Sequence, residues 1–151
     1  MTLRDTRYQG AILLGDSILL IKHQPHDDDQ GYWVIPGGGR EPHETEEECV
    51  RREMREETHL EVTVERLLLE EPGFPGGIYR RLKTYLCRPQ GGEARPGHEP
   101  EPEAAASYAI TAVGWFDLRA PESWDPLVHR DPFTGAALHR IRVALGYAQG
   151  E

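Results

Sequence analysis

The chain has 151 residues, enough for one domain with a buried core, and its 38% hydrophobic content argues against disorder. Its formal net charge of -9 disfavours a nucleic-acid polymer as partner, because phosphate-tracking grooves depend on clustered Lys and Arg. No apolar run approaches the roughly 20 residues of a membrane-spanning helix, and MTLRDTRYQG lacks the apolar centre of a signal peptide. We therefore expect a single domain over residues 1–151, in the cytoplasm and without a membrane partner.

The first third of the chain predicts three strands. The runs QGAILL and ILLIKH are rich in aliphatic and β-branched residues, and the turn at 15–17 between them predicts a hairpin. A further strand is expected at YWVIP, where Pro36 should end it because proline donates no ladder hydrogen bond.

A helix is predicted next, over residues 45–58. These are strong helix formers without an internal Gly or Pro. Thr45 and Glu48 have the spacing of a capping box, which fixes the expected start of the helix.

The rest of the chain predicts three more strands and a final helix. The strand patterns are EVTVERLLLE, IYRRLKTYLCR and YAITAVGWFDL, and residues 89–107 before the last one predict a long mobile loop rich in Gly, Pro and Glu. The segment TGAALHRIRVALGYA places Leu138, Ile141 and Leu145 on one helical face. Cys49 and Cys87 have no metal-ligand or redox spacing, so we expect both to be small buried residues.

Three carboxylates crowd one face of the first helix. At roughly 100° per residue, Glu53, Glu56 and Glu57 share this face, and Val50 and Met54 lie on the flank expected to meet the core. Like charges three or four residues apart destabilise a helix by roughly 0.2–0.5 kcal/mol per pair. We therefore expect a bound cation to offset the repulsion among these carboxylates. Oxygen ligands without Cys or His favour Mg²⁺ or Mn²⁺ over zinc.

The glycines before this helix let backbone groups approach closely, so a carbonyl of Gly37 or Gly38 could complete the coordination. The alternative interpretation of the acidic residues is a solvated, charged helix face. We expect that plainer role for four other glutamates: Glu41, Glu46, Glu47 and Glu48.

The segment from Gly38 to Leu60 resembles the signature of the Nudix hydrolase (MutT-like) family, G-x5-E-x7-R-E-U-x-E-E-x-G-U, in which U is apolar. One position departs from the pattern, because His59 stands where the family has glycine. That position often needs the left-handed conformation, which His tolerates at a modest cost in stability. The matching residues are Gly38, Glu44, Arg52, Glu53, Met54, Glu56, Glu57 and Leu60.

The resemblance implies an α/β (α+β) fold, a sandwich with a mixed β-sheet between helices. It also implies a Mg²⁺-dependent pyrophosphohydrolase, with Mn²⁺ as a substitute, that cleaves a diphosphate linkage in a small nucleoside diphosphate derivative. By position, Glu56 and Glu57 correspond to the principal metal ligands, and Glu53 to a further ligand or the base that activates water. Arg52 would orient Glu53, and Glu44 would support the site.

Some family members add an acidic residue from a loop before the last strand. Here that loop contains Glu99, Glu101 and Glu103, of which Glu103 is the favoured metal ligand.

Substrate choice rests on weaker features. Pro75 lies fifteen positions after Leu60, as in members that act on ADP-ribose, so ADP-ribose or nucleotide-sugar substrates are favoured over dinucleoside polyphosphates and nucleoside triphosphates. The candidate base-stacking aromatics are Tyr32, Trp33, Phe74 and Trp115. We expect surface positions for His23, His26 and His43, and a solvated strand face for Arg80, Arg81 and Lys83.

Two interpretations of function remain. The first is the hydrolase, and the intact Arg52-Glu53 and Glu56-Glu57 pairs favour it. The second is a catalytically weak Nudix-like nucleotide-binding or sensor domain, because a fold can persist without turnover. The sequence leaves a homodimer open.

Overall fold

The computed structural model describes residues 5–73, 77–98, 105 and 108–150. Within these residues the chain forms seven strands and three α-helices, with a 3-10 turn at Pro121–Ser123. The strands are β1 Thr6–Leu14, β2 Ser17–Pro25, β3 Tyr32–Val34, β4 Gly37–Gly39, β5 Glu61–Pro72, β6 Arg81–Gly91 and β7 Tyr108–Asp117. The helices are α1 Glu46–Thr58, α2 Pro126–Arg130 and α3 Pro132–Ala144.

The strands form one mixed sheet in the order β3-β2-β1-β6-β5, with β4 also paired to β1 and β7 also paired to β2. The β1–β6 pair is parallel, from Thr6 opposite Arg81 to Ile12 opposite Cys87. The other pairs are antiparallel. The parallel pair is compatible with the chain order, because β2, β3, β4, α1 and β5 lie between β1 and β6 and provide the long connection that parallel strands need.

Helices cover both faces of the sheet and bury a core on each. On one face, Val50 and Met54 of α1 pack with Ile12 of β1 and Leu19 of β2. Cys49 and Cys87 are buried in this core, as predicted, and neither is in a disulfide. The layers therefore confirm the predicted α/β sandwich.

The second core lies between the opposite face and α3. There, Leu138 and Ile141 pack with Leu13, Leu20 and Phe116, and Leu145 packs at the edge of the cluster. The predicted apolar face of the last helix is therefore confirmed, although α3 begins at Pro132, with Asp131 as its N-cap, and ends at Ala144.

Several element boundaries match the predictions. The turn between β1 and β2 contains Gly15 at φ 59°, and the hairpin joins Leu13 to Ile18 and Leu14 to Ser17. Strand β3 ends at Val34, before Pro36. Strand β5 covers the whole of the predicted run.

Three elements differ from the sequence predictions. Strand β6 begins at Arg81, because Arg80 N donates to Asp5 O and residues 78–80 turn outside the ladder. Strand β4 forms from glycines for which the sequence predicts no strand, and the five-residue α2 is not predicted either. None of the described helices is long and apolar enough to cross a membrane.

Candidate active site

Helix α1 has well-defined ends, which fix the direction of its carboxylates. Thr45 is the N-cap, and Thr45 and Glu48 form the predicted capping box. The helix ends at His59, whose φ of 64° and ψ of 13° are left-handed, and His59 N donates to Arg55 O. The prediction of a left-handed residue at this position is confirmed.

Two carboxylates of α1 are buried. Glu53 is 3% exposed and Glu57 is 1% exposed, and Val50 and Met54 beside them are fully buried. Glu56, on the same face, is partly exposed. Acidic side chains are almost never fully buried unless they are paired or bind a cation. The alternative of a solvated helix face is therefore wrong for Glu53 and Glu57.

Arg52 connects three of the acidic side chains. Its Nε and Nη2 donate to the two carboxylate oxygens of Glu44 at 2.5 and 2.9 Å. Its Nη1 reaches Glu53 Oε1 at 3.3 Å and Glu56 Oε2 at 3.2 Å, and Nη2 also donates to Gly39 O at 3.1 Å. The contact with Glu44 lowers the pKa of Glu44 and raises that of Arg52, because each charge stabilises the other.

The glycines of β4 form the wall opposite these carboxylates. Gly37 N donates to Glu57 Oε1 at 2.7 Å. A Cβ at Gly38 would overlap the carboxylate of Glu53, so only glycine leaves room for that side chain. Because Gly38 pairs with Tyr8 of β1, the sheet holds this wall against the helix.

The chain after β6 crosses the end of α1. Arg95 N donates to Thr58 O, Gly97 N to Glu57 O and His98 N to Glu56 O, at 2.9 to 3.0 Å. These bonds satisfy carbonyls that the end of a helix leaves unpaired. This part of the predicted mobile loop is thus tied to the site. Glu103, with Glu99 and Glu101, lies outside the described residues.

The carboxylate oxygens of this site suit a hard divalent cation, although they do not all converge on one point. Glu53, Glu56 and Glu57 supply carboxylate oxygens, and Gly38 leaves space beside one of them. Within the described residues, however, no three His, Cys, Asp or Glu side chains converge as ligands. The contacts explain this: Arg52 holds Glu53 and Glu56, and Gly37 holds one oxygen of Glu57.

Several other charged residues have partners that the sequence did not predict. Glu46 is not merely solvated, because it bonds to Lys83 and to the hydroxyl of Tyr85. Arg81 bonds to Glu70, so the basic strand face is partly neutralised.

The prediction of a surface position is wrong for His23. This side chain is 6% exposed, stacks on Tyr108 at 4.1 Å and meets Tyr32 edge-on at 5.4 Å, measured between ring centroids. Burial, together with the charge of Arg7, lowers the pKa of His23 to about 3. The imidazole is therefore neutral at physiological pH. His26 and His43 are exposed, as predicted.

A cleft of about 590 Å³ opens beside His23. We call it the aromatic cleft, and Arg7, Gln9, His23, Tyr32, Tyr79, Leu82, Tyr108 and Phe133 are among its lining residues. Of the candidate stacking aromatics, Tyr32 lines the cleft, Trp33 is in a core and Trp115 lies elsewhere. Phe74 is outside the described residues. Residues far apart in sequence build this cleft, so no local motif predicted it.

Comparison with known proteins decides the family. A family model described as NUDIX domain matches residues 5–133, which include β1, the glycine strand and the acidic helix. The chain belongs to the NUDIX family. Members of this family generally use divalent metal ions, which agrees with the donor chemistry of α1.

Curated relatives of this NUDIX chain resemble it over part of their length. It is 34% identical over 100 residues to the 8-oxo-dGDP phosphatase NUDT18 of Homo sapiens, covering 65% of this chain and 30% of that protein. It is 34% identical over 90 residues to the NAD-capped RNA hydrolase NudC of Photobacterium profundum, covering 59% of this chain and 32% of the relative. The chain thus spans about a third of the length of these two proteins.

Solved structures show the same fold over nearly the whole chain. A MutT NUDIX hydrolase from Burkholderia pseudomallei is 27% identical, with a TM-score of 0.59 over 89% of this chain and 95% of that one. An ADP-ribose pyrophosphatase from Streptococcus suis is 24% identical, with a TM-score of 0.64 over 97% of this chain and 92% of that one. The second likeness concerns the fold alone.

Proposed function

We propose that this NUDIX protein is a divalent-metal-dependent pyrophosphohydrolase that cleaves a diphosphate linkage in a nucleoside diphosphate derivative. Mg²⁺ is the proposed ion, Mn²⁺ its substitute, and residues 1–151 the functional domain. The observation that carries the proposal is the pair of buried carboxylates, Glu53 and Glu57, held against the glycine strand β4. A fold selected for stability alone would not bury two acidic side chains beside a third.

The proposed roles follow from the contacts of each side chain. Glu56 and Glu57 would hold the ion, which when bound neutralises phosphate oxygens and makes attack on a diphosphate easier. Glu53 would accept a proton from the attacking water or serve as a further ligand. Arg52, anchored by two bonds to Glu44, keeps Glu53 and Glu56 facing the same space.

Glu56 could hold a cation without losing Arg52. Arg52 Nη1 contacts only Oε2 of Glu56, at 3.2 Å, so Oε1 of the same carboxylate could be the ligand. The two stronger bonds from Arg52 to Glu44 can remain, since they use other nitrogens. Glu103 stays a proposed additional ligand and Gly38 a proposed backbone ligand.

The names of the relatives support the reaction class. The 8-oxo-dGDP phosphatase, the NAD-capped RNA hydrolase and a nucleoside triphosphatase from an Enterobacter species are all named for substrates that contain a nucleoside phosphate. The ADP-ribose or nucleotide-sugar preference rests on Pro75, outside the described residues, and stays a prediction.

The test is a product-release assay with Mg²⁺ and with Mn²⁺. ADP-ribose, nucleotide sugars, dinucleoside polyphosphates and nucleoside triphosphates would each be incubated with the protein. Metal-dependent release of a nucleotide from at least one class is expected. Binding of a nucleotide without release from any class would instead support the sensor interpretation.

A further inference from the structure

We propose that Arg7 recognises the base of the nucleotide, and that the aromatic cleft prefers a guanine-type purine to adenine. A guanine-type purine has a carbonyl oxygen beside a ring-nitrogen acceptor. The inference rests on the proposed function for the identity of the ligand as a nucleotide. It assigns a specificity-determining residue outside the acidic helix.

The lining of the cleft suits a flat ring. Tyr32, Tyr79, Tyr108 and Phe133 supply aromatic surface, and Leu82 adds apolar surface. Its volume of about 590 Å³ lies within the range of roughly 300–1,000 Å³ that is usual for small-molecule sites. Aromatic side chains stack readily on nucleobases.

Arg7 is fixed in this cleft by one edge of its guanidinium. Its Nε donates to Gln9 Oε1 at 3.0 Å and its Nη2 to Ile35 O at 2.7 Å. Within the described residues, the hydrogen bonds of Arg7 use only Nε and Nη2, so Nη1 has no hydrogen-bond partner. An arginine has five N–H donors, so Arg7 retains donors for a ligand.

A buried hydrogen-bond chain positions Arg7. Gln9 is 6% exposed, and its Nε2 donates to Thr84 Oγ1 at 2.9 Å. That bond turns the carbonyl oxygen of Gln9 towards Arg7 Nε. Gln9 and Thr84 are therefore positioning residues for the guanidinium.

The surroundings of Arg7 favour a base over a phosphate group. Asp131 lines the same cleft and carries a negative charge that would repel phosphate, while its Oδ1 accepts the N–H groups of Phe133 and Thr134. The neighbouring His23 is neutral, so it offers no second cation. Moving a phosphate from water to an apolar wall beside a single arginine is costly.

The strand register lets one ligand reach both sites. Arg7 and Gln9 pair with Gly39 and Gly37 of β4, while Tyr8 between them belongs to the core under α1. Side chains alternate along a strand, so Arg7 lies on the face opposite the buried carboxylates. Among the described strands β4 pairs only with β1, and Gly37 N and Gly39 O of β4 contact Glu57 and Arg52 of the acidic site, so a nucleotide can extend past β4 from Arg7 to the carboxylates.

Hydrogen-bond chemistry then selects the base. Arginine offers donors only, and guanine presents two acceptors side by side, O6 and N7. Adenine presents N7 beside an amino donor, which would oppose a donor of Arg7. A good bidentate contact of this kind corresponds to about 10- to 100-fold discrimination in affinity. We therefore expect guanine-containing diphosphate derivatives, such as GDP-linked sugars, to be better substrates than ADP-ribose.

The test is nucleotide binding by calorimetry without added metal, so that hydrolysis plays no part. Wild-type protein should bind GDP and inosine diphosphate about 10- to 100-fold more tightly than ADP. The 7-deaza analogue of GDP, which lacks the N7 acceptor, should bind nearly as weakly as ADP. Arg7→Met should bring GDP and ADP to similar affinity, and Gln9→Leu should reduce the discrimination.

Arg88→Met is the matched control, because this arginine is exposed and bonds to Glu65 away from the cleft. The Arg88→Met variant should keep the wild-type ratio of GDP affinity to ADP affinity. If Arg7→Met does not fold, Arg7→Lys keeps the charge but loses the planar donor pair, and it should also lose the discrimination. Equal binding of GDP and ADP by wild type, or an unchanged ratio in the Arg7 variants, overturns the proposal. If the protein binds GDP selectively but hydrolyses no substrate, the assignment of Arg7 is supported and the proposed hydrolase function is contradicted.

Discussion

At the scale of single residues, Glu57 provides a test of the proposed cation at the acidic helix. Glu57 is 1% exposed, and its carboxylate accepts a hydrogen bond from Gly37 N. The side-chain amide oxygen of a glutamine could accept the same hydrogen bond. Glu57→Gln keeps the shape and the acceptor oxygen but removes the charge. We therefore predict weaker binding of Mg²⁺ and Mn²⁺, with an unchanged or higher melting temperature in the absence of metal, because less like-charge repulsion remains.

Calorimetric titration with each metal checks this prediction. Glu47→Gln is the matched control, because Glu47 is exposed on the same helix. The assignment of Glu57 as a ligand does not survive if both variants bind metal as wild type does.

His23 predicts how stability depends on pH. An unperturbed histidine has a pKa of 6.5, whereas the pKa of His23 in the folded chain is about 3. Below pH 6.5 the unfolded chain therefore binds a proton that the folded chain does not, and stability falls as pH decreases towards 3. This group alone would cost about 2 kcal/mol at pH 5. His23→Phe removes the proton site and keeps an aromatic ring beside Tyr108.

Melting temperatures from pH 4 to pH 8 check this prediction. The decrease on acidification should be smaller for His23→Phe than for wild type, while His139→Phe, at an exposed position, should follow wild type. Parallel curves for wild type and His23→Phe would show that His23 does not stay neutral in the folded chain.

At the scale of elements, α1 was predictable because its signals are local. The capping box, the unbroken run of helix formers and the left-handed His59 all lie within a few residues of the ends they define. Strand β4 was not predictable in this way. Three glycines carry no side-chain pattern, and they form a strand because β1 pairs with them. The five residues of α2 are too few to show a helical period.

The end of α1 provides a stability prediction. His59 occupies φ 64°, which glycine adopts without steric cost. His59→Gly should stabilise the fold by up to about 1 kcal/mol, since part of the gain is offset by the greater freedom of glycine in the unfolded chain. Thermal unfolding should show a melting temperature about 2–4 °C higher at most.

His59→Val is the opposing control, because a β-branched residue is strongly disfavoured at positive φ. It should lower the melting temperature. A lower melting temperature for His59→Gly as well would mean that the imidazole makes stabilising contacts beyond its backbone conformation.

At the scale of the whole molecule, the sequence predicted the sandwich and the acidic face of α1 but not the cleft. The residues of the motif lie in one contiguous segment from Gly38 to Leu60, so their identities and spacing together show the resemblance to the family signature. The aromatic cleft joins Arg7 from β1, His23 from β2, Tyr108 from β7 and Phe133 from α3. None of these residues stands out in its own segment, and only the sheet order brings them together. The surface prediction for His23 was wrong for the same reason, because the aromatic residues that bury it come from other strands.

The central claim is that the buried carboxylates of α1 perform metal-dependent hydrolysis of a diphosphate. Glu53 tests it most directly, because it faces Gly38 and bonds to Arg52 on the same side as Glu56. General-base catalysis typically contributes about 10²–10⁴-fold. The decisive measurement is turnover of Glu53→Gln at saturating metal and substrate, beside Glu47→Gln and with both melting temperatures recorded. We predict a loss of at least about 100-fold for Glu53→Gln with little change in melting temperature, whereas retention of more than about a tenth of wild-type turnover would contradict the assignment of Glu53 as the base.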